Sequence, residues 1–181
     1  MVRVGGMIMN NEIYRSEYEA YPFLADDAED LRCDFELLTD EIASLTAFLS
    51  ATVIHDLLSS ELLFITELVY HLNPSLRTKI TVTENELVLL LGIVNRLEDE
   101  LKIMSPFVLP QGSQNACMAH VLRVKCKMAA RILYKHAQQG NSVDNLIFDF
   151  INLLSGYFFF LAIKLNEIDG YEEIEFVSRS Y

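Results

Sequence analysis

Glycine and proline are scarce in this chain, seven and four in 181 residues, and most sit near the ends of apolar stretches. A fold of many short strands needs turn residues at close intervals, so their shortage argues for long helices. Cys33, Cys117 and Cys126 are too few and too scattered for a disulfide framework, which makes a reducing cytoplasm the expected setting. Basic residues are outnumbered: 14 Lys and Arg stand against 26 Asp and Glu, for a formal charge of −12. That balance argues against a nucleic-acid partner, because counterion release needs clustered surface cations. No GxxxxGKS/T loop, GxGxxG or GxSxG motif occurs, and Gly5-Gly6 is too slight for a phosphate cradle. The first ten residues are mildly apolar but carry Arg3 and are too short for a secretory signal.

Long apolar runs are also few. Leu146 to Leu165 is the one that suggests a membrane span, yet Asp149, Asn152 and Ser155 interrupt it. A carboxylate at mid-bilayer is costly, so the better expectation is a helix buried in a bundle, with no membrane partner. Metal ligands do not gather either. Cys117 and His120 have ligand-like spacing, but Cys126 falls about half a turn away around the same helix. No metal site is expected.

What is present is helical periodicity. At 51% hydrophobic and 22% charged, the chain has the balance of one globular domain. Phe35, Leu38, Ile42, Leu45, Leu49 and Val53 recur at three- and four-residue steps and predict a helix over about 30–58. A second is expected from Ser59-Ser60-Glu61 to Leu72, and a third from the capping-box sequence Thr83-Glu84-Asn85-Glu86 to about Ile103. The Ser105–Gly112 segment has two prolines and a glycine and cannot remain helical. Ser113 should cap a fourth helix to about Gln139, and Asn141 or Ser142 a fifth to about Asn166. The expected fold is therefore all-α, an antiparallel five-helix bundle over residues 30–167. It has an acidic lead-in over 1–29 and an acidic tail over 168–181, the tail bearing Ile174, Phe176 and Val177.

Charge is distributed unevenly. From Leu101 to Val143 there is no Asp or Glu, but there are Lys102, Arg123, Lys125, Lys127, Arg131 and Lys135. Arg123, Lys127, Arg131 and Lys135 fall at successive four-residue steps, one stripe along the fourth helix, with His120 just before it. Such a stripe suits phosphate oxygens. It also suits ion pairs with Asp40, Glu41, Glu98 or Asp99 on neighbouring helices. On the fifth helix Asp149, Asn152 and Ser155 draw a narrow polar line that would face a polar helix or a ligand.

Phe107-Val108-Leu109-Pro110-Gln111-Gly112-Ser113, followed by His120-Val121-Leu122-Arg123, resembles a signature of the corrinoid adenosyltransferases of the propanediol-utilisation type: F-I/V-L-P-G-G-S/T, then H-x-A-R. Asn152-Leu153-Leu154-Ser155, with Phe159, Leu161-Ala162 and Asn166, is similar to that family's N-R-L-S-D helix. Thr39-Asp40-Glu41-Ile42 and Leu97-Glu98 resemble two shorter motifs upstream. The resemblance implies a ferritin-like, cobalamin adenosyltransferase-like bundle, usually a homotrimer with active sites between subunits. It implies transfer of the 5′-deoxyadenosyl group of ATP, with Mg, to cob(I)alamin and release of triphosphate. By the same resemblance Arg123 pairs with Asp40 as the catalytic pair. Lys127 and Arg131 meet the nucleotide phosphates, Asn152 belongs to the ATP site, and Phe107 packs under the corrin.

The chain departs from the pattern at defined places. Where the family has R-R-x-E-R it has Lys127-Met128-Ala129-Ala130-Arg131, and Leu153 and Gly156 replace an arginine and an aspartate. Leu24 to Asp30 stands where the family's glycine-bearing phosphate loop would be, with Glu29 and Asp30 in place of its threonines. A phosphate loop works through backbone N–H groups that glycine exposes, and carboxylates there repel triphosphate. Three expectations follow: a divergent adenosyltransferase, a non-catalytic corrinoid-binding paralogue without the ATP site, or a structural bundle whose ligand pocket is vestigial.

Overall fold

The computed structural model describes residues 13–101 and 107–180, so Arg3, Gly5-Gly6, Lys102, Ile103 and the Ser105-Pro106 part of the loop lie outside the described residues. Five helices carry the fold: α1 (Leu31–Thr52), α2 (Asp56–Leu72), α3 (Glu84–Glu100), α4 (Gln114–Gln138) and α5 (Asn145–Asp169), with a 3₁₀ turn at Asn73–Leu76. Their starts follow from side-chain caps. Asp30 accepts from the Arg32 N–H, Ser113 from Ala116, and Thr83 with Glu86 closes a full capping box.

Several boundaries differ from the sequence expectation. α1 does not run on to Leu58: it stops at Thr52, and Val53 is extended. His55 then opens α2 by accepting from the Leu58 N–H at 3.4 Å. No glycine or proline marks this corner. It is held by reciprocal bonds, Ser50 Oγ to the Ser59 carbonyl at 2.9 Å and Ser59 Oγ to the Ser50 carbonyl at 3.0 Å. α5 is capped by Asp144 rather than Asn141 or Ser142, because the Asn141 amide turns back to the His136 carbonyl at the end of α4. α5 also runs to Asp169, where Gly170 at φ 74° lets the chain reverse and the Tyr171 N–H reach the Asn166 carbonyl at 2.8 Å.

α1 packs on α2 and α4, α4 on α5, and α5 on α3. The Glu61–Arg96 ion pair, 2.6 Å, links α2 to α3 and closes the ring. A ring of five cannot alternate direction throughout. Here α3 and α5 are the parallel pair, as Lys164 meeting Glu100 near both C-terminal ends indicates, and the other neighbours are antiparallel. α5 is long and apolar enough by length and composition to cross a membrane. Its Phe150, Ile151, Leu154, Tyr157, Phe158 and Leu161 are buried in the bundle core. Opposite them α4 buries small residues, Ala116, Ala119, Ala129 and Ala130, so two heavy helices need not clash.

Both flanking segments are pinned to the bundle. In the lead-in, Phe23 lies under the Arg77 guanidinium at 3.6 Å, and Asp26 pairs with Arg77 at 3.0 Å. Arg77 also grips buried Glu36 of α1 at 2.8 and 2.9 Å. The tail returns to the loop before α4: the Leu109 N–H meets the Ile174 carbonyl, and the Phe176 N–H meets the Phe107 carbonyl. Between loop and tail sits Asn166, fully buried. It accepts from the Ser113 N–H at 3.0 Å and donates to the Gln111 carbonyl and the Glu173 carboxylate, each at 2.9 Å. Gly112, at φ 119°, is required there, because a Cβ would fall 1.9 Å from the Asn166 Oδ1.

Replacing Asn166 by Ala strands the Ser113 N–H and the Gln111 carbonyl in a buried place. At about 1–3 kcal/mol for each orphaned group, Asn166→Ala should cost about 2–6 kcal/mol. The measurement is a shift of the urea midpoint at constant slope.

Candidate functional site

α4 buries one side against α1 and α5 and leaves another open. On the open side Val121, Val124 and Met128, at steps of three and four, are each about half exposed. The basic residues run beside this apolar line. Lys127, Arg131 and Lys135 are exposed and form no ion pair among the described residues. The alternative of ion pairs with α1 and α3 is not realised by the stripe: among the described residues, the α1–α4 ion pair joins Glu41 to Lys125, off the stripe, at 2.6 Å. Glu98 and Asp99 sit on α3, which packs against α5 and not α4.

Two adjoining clefts line this face. One, of about 460 Å³, has Pro110, Cys117, His120, Val121, Arg123 and Met128 in its wall. The other, of about 340 Å³, is walled by Val124, Lys127, Met128, Arg131, Ile132 and Lys135. Val124, Lys125 and Met128 border the first as well, so Val124 and Met128 are shared. Phe107 stands exposed on the loop that ends at Pro110, and main-chain bonds from the tail hold that loop in place.

Arg123 and Asp40 do not meet within one chain. Asp40 is exposed on α1, where its Oδ1 accepts from Tyr70 Oη at 3.1 Å. The Arg123 Nε is buried with no hydrogen-bond partner. Asn152 is exposed and donates to the Phe148 carbonyl of its own helix at 2.8 Å. The polar line on α5 is thus not a buried stripe: Asp149 and Asn152 face outward, and Ser155 reaches the Arg123 carbonyl of α4 at 3.4 Å. Cys126 points into the core, where burial raises its thiol pKa, whereas Cys117 borders the cleft. No group of three metal-ligating side chains gathers among the described residues.

The acidic lead-in closes a separate cavity of about 530 Å³ at the far end of α4, lined by Asp27, Glu29, Asp30 and His136 among others. The Gln139 side chain ties it down by donating to the Glu29 carbonyl at 2.9 Å. Asp30 is held well below the usual carboxylate range, at about 2, by its hydrogen bonds to Arg32. This end of α4 carries negative charge, the stripe positive.

Sequence reasoning passed over two features. Tyr70, the support of Asp40, carries no motif and lies 30 residues away on α2. His120 reads as a core histidine, and it is 4% exposed, yet neither ring nitrogen has a partner. Burial first, and the Arg123 charge second, push its pKa down to about 4. The unfolded chain takes up this proton near pH 6.5, the folded chain only near pH 4. The stability that His120 contributes is therefore whole above pH 6.5 and is lost as the pH falls towards 4. Relative to a His120→Gln chain, wild type should lose at most about 3 kcal/mol across that window, read from denaturant midpoints at each pH.

Comparison with known proteins gives the face a context. Residues 28–165 match the family model described as cobalamin adenosyltransferase. Among solved structures, an arginine-to-lysine variant of the PduO-type ATP:corrinoid adenosyltransferase from Lactobacillus reuteri, complexed with ATP, is 24% identical with a TM-score of 0.75. The match covers 82% of this chain and 88% of that one. A phenylalanine-to-histidine variant of the same enzyme, complexed with cobalamin and ATP, is 22% identical at TM-score 0.73 over 81% and 84%. A phenylalanine-to-alanine variant with the same two ligands is 22% identical at 0.73 over 82% and 87%. No curated protein matches the chain. These structures share the helical architecture, and the family model spans well over half of the sequence: the chain belongs to the cobalamin adenosyltransferase family.

Proposed function

We propose that the protein is a divergent ATP:corrinoid adenosyltransferase that acts in the cytoplasm as a homotrimer. The observation that carries the reading is the open face of α4: three cations, Lys127, Arg131 and Lys135, form no ion pair among the described residues and line a cleft that adjoins, at Val124 and Met128, the one reaching Pro110 of the Phe107 loop. A corrin is a broad apolar plate and a triphosphate is a dense anion. A face with an exposed aromatic at one end and free ammonium and guanidinium groups at the other suits both. Related proteins complexed with cobalamin and ATP support the same pairing of substrates.

In this reading Phe107 packs under the corrin and keeps the cobalt's lower face free of a ligand. Lys127 and Arg131 hold the phosphates, with Mg as the usual companion of ATP, and Asn152 contributes to the nucleotide site. The electron pair of reduced cobalt attacks the ribose 5′ carbon, the C5′–O bond breaks, and triphosphate leaves with that oxygen. The protein's part is positioning and charge neutralisation. Arg123 and Asp40, apart in one chain, complete the site when Asp40 comes from a second copy.

A second reading, a non-catalytic corrinoid-binding paralogue, is supported by the lead-in. Asp27 and Glu29 are exposed where the resemblance puts a glycine-rich phosphate loop, and Arg77 locks that segment to its own chain. Anaerobic incubation with ATP and chemically reduced cobalamin separates the two. The adenosyltransferase reading expects the spectrum of an alkyl–cobalt bond to grow in. It expects Lys127→Ala to raise the KM for ATP by about tenfold, the equivalent of one lost charge-assisted contact. Binding of cobalamin with no turnover and no ATP affinity would establish the paralogue instead.

A further inference from the structure

Two polar side chains of α4 are left bare inside the described chain. His120 is buried with both ring nitrogens unpartnered, and the Arg123 Nε is buried and unpartnered beside it. Both border the cleft that reaches Pro110. Native proteins leave few such groups unpaired, because each forfeits its bonds to water without replacement. The charges in the cleft wall say what is missing. Lys125 is neutralised by Glu41 at 2.6 Å, so the uncompensated charge at the cleft floor is the single cation of Arg123. A carboxylate is the group that satisfies a guanidinium and an imidazole N–H together.

A soft metal is a poor alternative. Cys117, His120 and Met128 share the cleft, but His120 and Met128 are eight residues apart on one helix, about 12 Å along its axis. Their donor atoms cannot converge.

The chain offers a carboxylate of its own on a different face. Asp40 is exposed on α1, the helix that also carries Leu37 and Phe48, and is supported by Tyr70 of α2. Leu37, Phe48 and Tyr70 are each about half exposed, as are Val121, Val124 and Met128 on α4. One face is apolar with acid, the other apolar with base. Two unlike faces of complementary charge suit a head-to-tail interface, which closes into a ring when the rotation allows.

We propose that His120 is a positioning residue at a junction between copies of this chain, its imidazole donating to the Asp40 carboxylate of a second copy that Arg123 pairs with. The inference rests on the oligomeric reading given above and assigns a residue to it. An ion pair moved out of water repays its desolvation only when the remaining lone pairs and protons are also satisfied. Tyr70 supplies a bond from the carboxylate's own side and His120 one from the other. A neutral imidazole suits the role, since a second cation beside Arg123 would repel it. The cleft beside the Phe107 loop is then floored by groups from two chains.

The test is a double-variant cycle on assembly. Sedimentation equilibrium gives the subunit dissociation constant of the full chain for wild type, His120→Leu, Asp40→Ala and the double variant. His120→Leu is expected to weaken assembly by about tenfold or more, and His120→Gln, which keeps an N–H donor, to restore most of it. In the Asp40→Ala background His120→Leu should add nothing, because the carboxylate it holds is gone. Additive losses, or assembly unchanged by His120→Leu, would overturn the proposal. So would a wild-type chain that remains monomeric. Should His120→Leu fail to fold, the cycle of His120→Gln with Asp40→Asn at the same readout decides the matter by its coupling. The readout needs no turnover: a chain that assembles with the expected coupling but transfers no adenosyl group defeats the enzymatic reading and leaves this one standing.

Discussion

The burial of α5 governs the rest of the structure. A rod that carries Phe150, Tyr157, Phe158 and Leu161 in one helix must be covered on most sides. α4 and α3 cover it, and α1 backs α4. To lie close, α4 sets four alanines among Leu122, Cys126 and Leu133 on its buried side. That division leaves α4 with one face committed to packing and another free of that duty, and the free face is where the cations stand. The stripe is possible because Leu122, Cys126 and Leu133, with the alanines, do the packing from another side.

The ends of α5 impose a second constraint. Asn166 sits a turn before the helix stops, where a wholly apolar residue would leave the Ser113 N–H and the Gln111 carbonyl without their side-chain partner. One carboxamide, as donor and acceptor at once, fixes Gln111, Ser113 and the returning tail. The Phe107 loop is thus presented by a polar residue buried in the most apolar helix of the chain. Gly112 is bound to the same arrangement, since its missing Cβ is the space that Asn166 occupies.

Much of this was legible in the sequence where a local rule has local causes. Asp30, Thr83-Glu86 and Ser113 mark helix starts because a cap is made by neighbours within three residues. The α1–α2 corner was illegible because it is held by Ser50 and Ser59 across two helices, a tertiary bond with no turn residue to announce it. The basic stripe could be read from its four-residue step, but not whether it was paired: that depended on α3 packing on α5 and leaving Glu98 and Asp99 on a different side from α4. The orphaned state of His120 was out of reach for the same reason. Periodicity reports burial, and a buried histidine with partners has the same periodicity as one without.

The opposed charges along α4 bear on how a nucleotide would lie. Asp27 and Glu29 stand at the C-terminal end of the helix, where the macrodipole is also negative. A polyphosphate approaching that end meets two carboxylates and the helix terminus together. Towards the middle it meets Lys127 and Arg131, with Lys135 nearer the repelling end. The field therefore favours an anion lodged between the Phe107 loop and Arg131, close to the cleft that His120 and Arg123 floor. With Asp27 and Glu29 at one end and the cations inward of them, the stretch of α4 that attracts an anion is confined to its middle.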